Sequence, residues 1–373
     1  MSLVRILQVI DNISEDSGVS TMVMNIYRNI DRTQVQFDFL ISCDNANRGK
    51  SYEEEIKLLG GRVFYFGAPL SKNIFGACKA AKEFFKENFA EYYAVHLHTP
   101  TIAYFTLRYA KKYGILNRII HSHSTMTSTN KIKAIINRFL LTGIKYANNY
   151  WACSTEAAQF LYGENFCHKN NITLIYNAVD SNRFVFNEVI RDLWRDKLDL
   201  KGTTICVHVS NFTKIKNVSF LRDVIKNVAK NRNDIYFVFV GDGETKSQFE
   251  NEIKQADLAK FCRFVGRTDD VASYLNMADI FLLPSIKEGL PVSAIEAQAS
   301  GLKCLLSDSI TRESIASEDI EFLPLNVSAW SDAIIHFSPY DNKKRTDECI
   351  KFQTSVFDIT REAKRVMELY LSI

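Results

Sequence analysis

In the segment SIKEGLPVSAIEAQASG, Ser285 to Gly301, two glutamates stand eight residues apart, Glu288 in a turn and Glu296 inside a predicted helix. Pro291 suits a place at or near the first helical position and Gly301 the C-terminal stop, so Glu288 belongs to the loop before the helix. The expected buried stripe is Val292, Ile295 and Ala299, which leaves Glu296 about 100° round from Ile295, on the flank of the stripe. The pair brackets a helix N-terminus, where unpaired N–H groups and the helix dipole attract an anion such as phosphate. Carboxylates fit beside a phosphate seat when they accept O–H bonds from a diol, about 1.5–3 kcal/mol each, while the amides face the phosphate. A nucleotide sugar combines those groups: ribose diol, diphosphate and hexose. Two glutamates alone are ordinary helix residues; the strand, EGLP turn, helix and glycine around them point to a site.

A departing diphosphate needs positive charge. No D-x-D occurs in the chain, so a metal-clamped diphosphate is not expected and protein cations must serve. Lys216 in VHVSNFTKIKNVSFL, with Lys214 nearby, and Arg267 in VGRTDD follow predicted strands. The histidines form two H-x-H pairs, His96/His98 and His121/His123. Positions i and i+2 share a strand face and could chelate a metal, yet no carboxylate or cysteine at ligand spacing accompanies them, so no metal is expected. Gly18 in EDSGVST falls between a strand and a helix, as a ligand loop or a plain turn. Gly241 and Gly243 in VGDGE end a buried strand.

Positioning these residues requires strands and helices in alternation, and the chain supplies them from end to end. Apolar runs such as VRILQVI, FDFLIS, RVFYF, AVHLH, RIIHSH, YWACS and ITLIYN, then TTICVHVS, IYFVFVG, CRFVG, DIFLLPS and LKCLLSD, alternate with helical spacing such as Met22, Val23, Ile26, Tyr27, Ile30. That pattern predicts an α/β protein of two Rossmann-like, doubly wound parallel-sheet domains. The strand rhythm pauses around NAVDSNRFVFNEVIRDLWRDKLDLKG, which places the domains at 1–185 and 186–355, with ligands at the carboxyl ends of strands in a cleft between them.

The 373 residues carry eight cysteines without a CxxC pair, so reduced core thiols are expected rather than disulfides or zinc. The net charge of +3 is too small to announce nucleic acid. It divides into +6 over residues 1–185 and −3 over 186–373. The basic half holds SKNIFGACKAAKEFFKENF and NKIKAIINRFLLTGIKYANNYW, which would suit an anionic membrane surface or, equally, ordinary amphipathic helices with lysines over a core. With no long apolar run and no leader-like start, a cytoplasmic protein is expected, peripheral on the inner membrane face if the basic segments bind lipid.

The segments DSGVST, RIIHSHS, ACSTEAAQFLYG, NAVD, KIKN, VGDGE and PSIKEGLPVSAIEAQASG together resemble the family 4 retaining glycosyltransferases of the GT-B fold, most closely bacterial enzymes of capsule and exopolysaccharide synthesis. The resemblance spans nearly the whole chain. It implies an acceptor-binding N-terminal domain and a C-terminal domain binding a UDP-sugar, with a final helix at 356–373 returning to the first domain. Glu296 would hold the ribose hydroxyls, Glu288 the donor sugar, and the backbone of Gly289, Leu290 and Pro291 the diphosphate. Lys216 would face the leaving phosphate, Gly18 would approach it from the N-terminal domain, and Gly241, Gly243 and Arg267 would border the nucleotide. Asn177 would lie near the cleft and His123 would touch the donor sugar, with His98 a weaker candidate for the acceptor. The family's arginine before this lysine is replaced by Asn211, which carries no charge. The expected activity is metal-independent, retaining transfer of a hexose or N-acetylhexosamine to a saccharide or lipid-linked saccharide. Asn211 motivates the alternative of a non-catalytic partner subunit.

Overall fold

The computed structural model describes residues 3–15, 17–42, 50–66, 74–123, 141–288 and 290–373. The chain divides into two compact units, Met1–Asn177 with Ile359–Ile373, and Ala178–Asp358. The crossing falls at Asn177/Ala178 and at Asp358/Ile359 rather than after residues 185 and 355. Local pairing explains the shift. Val179 donates its N–H to the Phe357 carbonyl at 2.9 Å, the Ser181 hydroxyl bonds Asp358, and the Phe184 carbonyl accepts from Ser300 Oγ at 2.7 Å. Residues 178–185 are therefore held by the second unit.

The first unit holds seven strands: β1 (Val4–Ile10), β2 (Val35–Ile41), β3 (Val63–Tyr65), β4 (Ala94–Leu97), β5 (Asn117–Ser122), β6 (Asn149–Ala152) and β7 (Ile172–Leu174). They pair in the order β3-β2-β1-β4-β5-β6-β7, every pair parallel. The second unit holds β8 (Thr204–Val209), β9 (Ile235–Val240), β10 (Cys262–Gly266), β11 (Ile280–Leu283), β12 (Lys303–Ser307) and β13 (Ile320–Leu323). Their order is β10-β9-β8-β11-β12-β13, again all parallel. Strand order reverses between β1 and β4 in one unit and between β8 and β11 in the other, the positions at which such sheets open a crevice at the strands' carboxyl ends. The edge strand β13 is absent from the sequence expectations because Glu321 interrupts its apolar run and three of its four residues stay partly exposed.

Parallel strands covered on both faces are apolar at nearly every position, as in β11, IFLL, where all four residues are buried. One face of the first sheet packs Leu7, Val9, Val95 and Leu97 with Ala81, Phe85 and Leu107 of helices Ile74–Asn88 and Ala103–Tyr113. Gln8, His96 and His121 turn to the other face, beside Met22, Ile26, Val366 and Tyr370. Those last four come from helices Gly18–Asn29 and Ile359–Ser372. The final helix is anchored to this unit by Glu362, whose Oε1 accepts the Tyr176 N–H at 2.8 Å. In the second unit Phe237, Phe239, Ile280 and Leu305 pack against Leu221, Val224, Ile225 and Val228 of helix Val218–Asn231.

Buried charges are paired, as burial demands. Asp38 in β2 meets Arg5 at 3.0 Å and Arg62 at 2.6 Å. Asp279, leading into β11, meets Arg191 and Arg195 at 2.6 and 2.7 Å. Arg345 is buried among carbonyls instead, donating to Ala278 at 2.6 Å and Ser300 at 2.8 Å. It thereby caps the negative ends of helices Val271–Met277 and Val292–Ala299, and burial pushes its guanidinium down to about 9. Helix Ile74–Asn88 is amphipathic, with Ala81 and Phe85 buried and Lys79, Lys82 and Lys86 exposed. Residues 71–73 of the first basic segment and 130–140 of the second lie outside the described residues. Among the described residues no helix is long and apolar enough to cross a membrane. The seven described cysteines are free.

Candidate functional site

In the second unit the strand ends open into a depression of about 460 Å³ lined by Ser210, Asn211, Lys216, Gly241, Asp242, Arg267, Thr268, Glu288 and the segment Leu290–Ser293. Each lining group is placed by backbone geometry. After β8 the chain makes a 3₁₀ turn, Lys214–Lys216, closed by Asn217 in the left-handed region at φ 53°. The Asn217 side chain donates to the Pro284 carbonyl at 3.2 Å, and Ile286 donates its N–H to the Ile215 carbonyl at 2.9 Å. These two bonds fasten the loop after β8 to the loop after β11. Lys216 Nζ and Glu288 Oε1 consequently meet at 2.6 Å, spanning the point where strand order reverses. Both side chains keep some exposure, 20% and 14%, so the pair is reachable by a ligand.

Gly241 is required by this packing. Its φ is +125°, and a Cβ there would sit 1.9 Å from the Ser210 carbonyl oxygen, so only glycine lets the loops after β8 and β9 touch. Gly243 also approaches backbone closely, with a Cβ 2.5 Å from the Phe212 carbonyl oxygen, and does not line the depression; Asp242 does. Beneath the site His208 spans the same reversal point. Its Nδ1 meets the Leu282 carbonyl and its Nε2 the Ser210 hydroxyl, at 2.8 and 2.7 Å. Burial, with Lys216 nearby, pushes this imidazole down to about 4.

Helix Val292–Ala299 differs in detail from the sequence expectation. Pro291 is its N-cap, at the start of the helix as expected, but Val292 turns outward at 41% exposure and the buried residues are Ala294, Ile295, Ala297, Gln298 and Ala299. The first turn thus faces the depression. Glu296 is half-buried one turn on and is not among the lining groups. Burial pushes its carboxyl up to about 7, partly offset by Arg183. Gly289 lies outside the described residues.

The expected cations Lys216 and Arg267, the expected carboxylate Glu288, the departure Asn211, and Gly241 and Leu290 are therefore gathered in one depression. Asn211, Lys214 and Arg267 are exposed. Ser210, Asp242, Thr268 and the supporting His208 were not anticipated. Their only sequence signal is position, one to three residues around a predicted strand end.

In the first unit the expected residues are dispersed. Gly18 begins helix Gly18–Asn29, with Ser17 as N-cap, and a Cβ there would meet nothing within 4 Å. Neither backbone angle nor packing demands this glycine. Asn177 is half-buried at the end of the unit, past β7. His123 follows β5, and its Nε2 meets His98 Nδ1 at 2.8 Å. His96, His98 and His121 are buried with one nitrogen of each within 4.8 Å of the others, a donor set zinc accepts. The rings are also linked by hydrogen bonds, at 3.2 Å between His96 Nε2 and His121 Nδ1. Burial holds all four imidazoles below their usual range, His123 at about 3.

Comparison with known proteins agrees with this arrangement. Residues 17–183 match the family described as Glycosyltransferase Family 4, and residues 190–347 the family described as Glycosyl transferases group 1. The chain is 31% identical over 350 residues to a putative glycosyltransferase, EpsF, of Bacillus subtilis, covering 91% of this chain and 89% of the relative. It is 23% identical over 289 residues to the UDP-Gal:alpha-D-GlcNAc-diphosphoundecaprenol alpha-1,3-galactosyltransferase of Escherichia coli, covering 71% and 74%. Among solved structures, Anabaena Alr3699/HepE in complex with UDP superimposes with a TM-score of 0.77 at 14% identity, covering 99% of this chain and 100% of that one. Two parallel-sheet units with these neighbours define the GT-B fold, and the chain belongs to the group 1/family 4 glycosyltransferases.

Proposed function

We propose that this protein transfers a hexose or N-acetylhexosamine from a UDP-sugar to a hydroxyl of a saccharide or lipid-linked saccharide, with retention, in capsule or exopolysaccharide synthesis. The observation that carries the proposal is the Lys216–Glu288 pair at the strand-order reversal of the second unit, in a depression that also presents Arg267 and a helix N-terminus. In the unliganded protein the ammonium and carboxylate neutralise each other. A diphosphate draws Lys216, with Arg267 as the second cation, while the carboxylate of Glu288 accepts sugar hydroxyls and faces the positive charge that develops at the anomeric carbon. The first helical turn offers its N–H groups to the phosphates. Glu296 receives the ribose hydroxyls, and this contact favours its charged form. In this proposal the cations do the work of a metal, the first unit holds the acceptor with His123 beside the reacting sugar, and the enzyme works in the cytoplasm, at the inner membrane face when its acceptor is lipid-linked. UDP and undecaprenyl-linked sugar in the names of the neighbour and the relative support the choice of donor and acceptor.

Thermal-shift titration of the purified chain with UDP-, GDP- and ADP-sugars, without and with divalent metal, tests the donor. The expected result is a shift with UDP-sugars that metal leaves unchanged. Product analysis by NMR then reads the anomeric configuration, and an inverted product removes the retaining assignment. The uncharged Asn211 in the depression favours one other function, a non-catalytic partner subunit; donor binding without turnover, restored by a companion protein, would select it.

A further inference from the structure

The two H-x-H pairs stand side by side because β4 and β5 are parallel neighbours in register, His96 opposite Ile119 and Leu97 opposite Ile120. Ring centroids lie 4.1 Å apart within the first pair and 3.9 Å within the second. His96 and His121 lie nearly coplanar in orientation, 9° apart. Two further side chains join the block. Gln8 of β1 bonds His98 Nε2 through Oε1 at 2.8 Å and the Tyr370 hydroxyl through Nε2 at 3.1 Å. Tyr370, from the final helix, also meets His96 Nδ1.

A neutral imidazole carries one proton, so one nitrogen donates and the other accepts. Burial keeps all four rings neutral. The protons can then be followed from Gln8 outward. His98 meets the Gln8 carbonyl oxygen, so its Nε2 donates and its Nδ1 is bare. His123 must therefore donate from Nε2 to that bare nitrogen, which leaves His123 Nδ1 as an acceptor. On the other arm the Gln8 amide donates to the Tyr370 oxygen, so the Tyr370 hydroxyl donates to His96 Nδ1. His96 then donates from Nε2 to His121 Nδ1, and the His121 proton sits on Nε2, a buried atom with no partner among the described residues. Turning the Gln8 amide over would reverse every bond in both arms and put the proton of each of the four rings on Nδ1.

We propose that Gln8 is a positioning residue that sets the tautomer of all four histidines collectively as Nε2–H, so that His123 offers a bare Nδ1 to a substrate hydroxyl. The tautomers follow from the orientation of the Gln8 amide and the bonds that run from it; that a substrate hydroxyl, a sugar O–H, reaches His123 rests on the glycosyl-transfer proposal. A bound zinc ion is the competing occupant, since it would take one lone pair from each of His96, His98 and His121 and so disrupt the ring-to-ring bonds.

The full-length protein labelled with ¹⁵N-histidine reports each tautomer through its two-bond nitrogen–proton couplings. Four Nε2–H rings at pH 7 are expected, with no zinc by elemental analysis. An Nδ1–H assignment for His98 or His123, or stoichiometric zinc, overturns the proposal. Gln8→Met should let His98 and His123 exchange between tautomers and lower kcat about 10-fold, with the donor KM changed less than about 2-fold. Unchanged His123 signals in a folded Gln8→Met protein also overturn it. Tyr370→Phe provides a second route, because Tyr370 bonds neither His98 nor His123. The His96 and His121 signals should move in this variant while His98 and His123, still bonded through the Gln8 oxygen, keep Nε2–H; a loss of Nε2–H at His123 with Gln8 intact overturns the proposal. The couplings are read without turnover, so a failed transfer assay with intact Nε2–H tautomers would refute the proposed activity and leave the network standing.

Discussion

The two units place polar side chains at the same topological position and give them opposite electrostatics. At the β8/β11 reversal Lys216 and Glu288 carry full charges and stay partly open to solvent. At the β1/β4 reversal Gln8 and His98 begin a buried, neutral chain of imidazoles. Charge needs water or a counter-ion nearby, so it sits in a depression where an anion can exchange partners. Neutral imidazoles tolerate burial as long as each N–H finds a lone pair. The contrast suits a division of labour in which one unit handles the charged leaving group and the other orients hydroxyls.

Replacing the charged pair should have the largest effect. Glu288→Ala and Lys216→Ala are each expected to lower transfer by about 10²–10³-fold, by the measure of other electrostatic stabilisers, with the circular dichroism spectrum retained. Activity within a few-fold of wild type in either variant would remove the pair from the chemistry. Next in size is Gly241→Ala. The added Cβ must displace the Ser210 carbonyl from a loop that carries Asn211, so a stability loss of about 3 kcal/mol is expected in denaturant titration. Retained stability would mean that the loops after β8 and β9 separate freely.

Acid sharpens the contrast from the side of the first unit. The native pKa values of His96, His98, His121 and His123 are depressed, His123 to about 3, so below about pH 6.5 the unfolded chain binds protons that the native state refuses. Their stability contribution is present above pH 6.5 and is lost as pH falls toward 3. Melting temperature should therefore decline between pH 6.5 and 4, and less steeply in a folded His121→Phe variant. Equal slopes would assign the acid loss elsewhere.

The smallest effect is expected at Glu296, whose carboxyl is raised to about 7. A raised acid is protonated in the native state, so its stability contribution is present below about pH 4.5 and is lost as pH rises through 7. Glu296→Gln should stabilise the protein by about 1 kcal/mol or less at pH 8 and leave it unchanged at pH 4, while weakening donor binding. Equal melting shifts at both pH values would contradict the burial of this carboxyl.

Much of this was legible along the chain. Continuous apolar runs identified all but one of the described strands, including the partly exposed edge strands β3 and β7. The exception, β13, is an edge strand in which only Leu323 is buried. Glu288 was visible in its EGLP turn and Arg267 just past a predicted strand, while Lys216 was visible through the family resemblance. Less visible was the outward turn of Val292, a residue expected in the buried stripe. Gly243 was grouped with Gly241 on sequence, yet the Phe212 backbone, not the depression, accounts for it.

The amino-acid order thus determined the alternation of strand and helix, the two parallel sheets and the candidates at strand ends, since periodicity and buried apolar area act locally. Folding decided which of those candidates meet. Lys216 and Glu288 are 72 residues apart, Gln8 and Tyr370 362 apart, and nothing in the spacing of either pair reports that hydrogen-bonded loops and a returning helix bring them into contact. Protonation follows the same division, because a tautomer or a shifted carboxyl is set by the neighbours and burial that packing supplies.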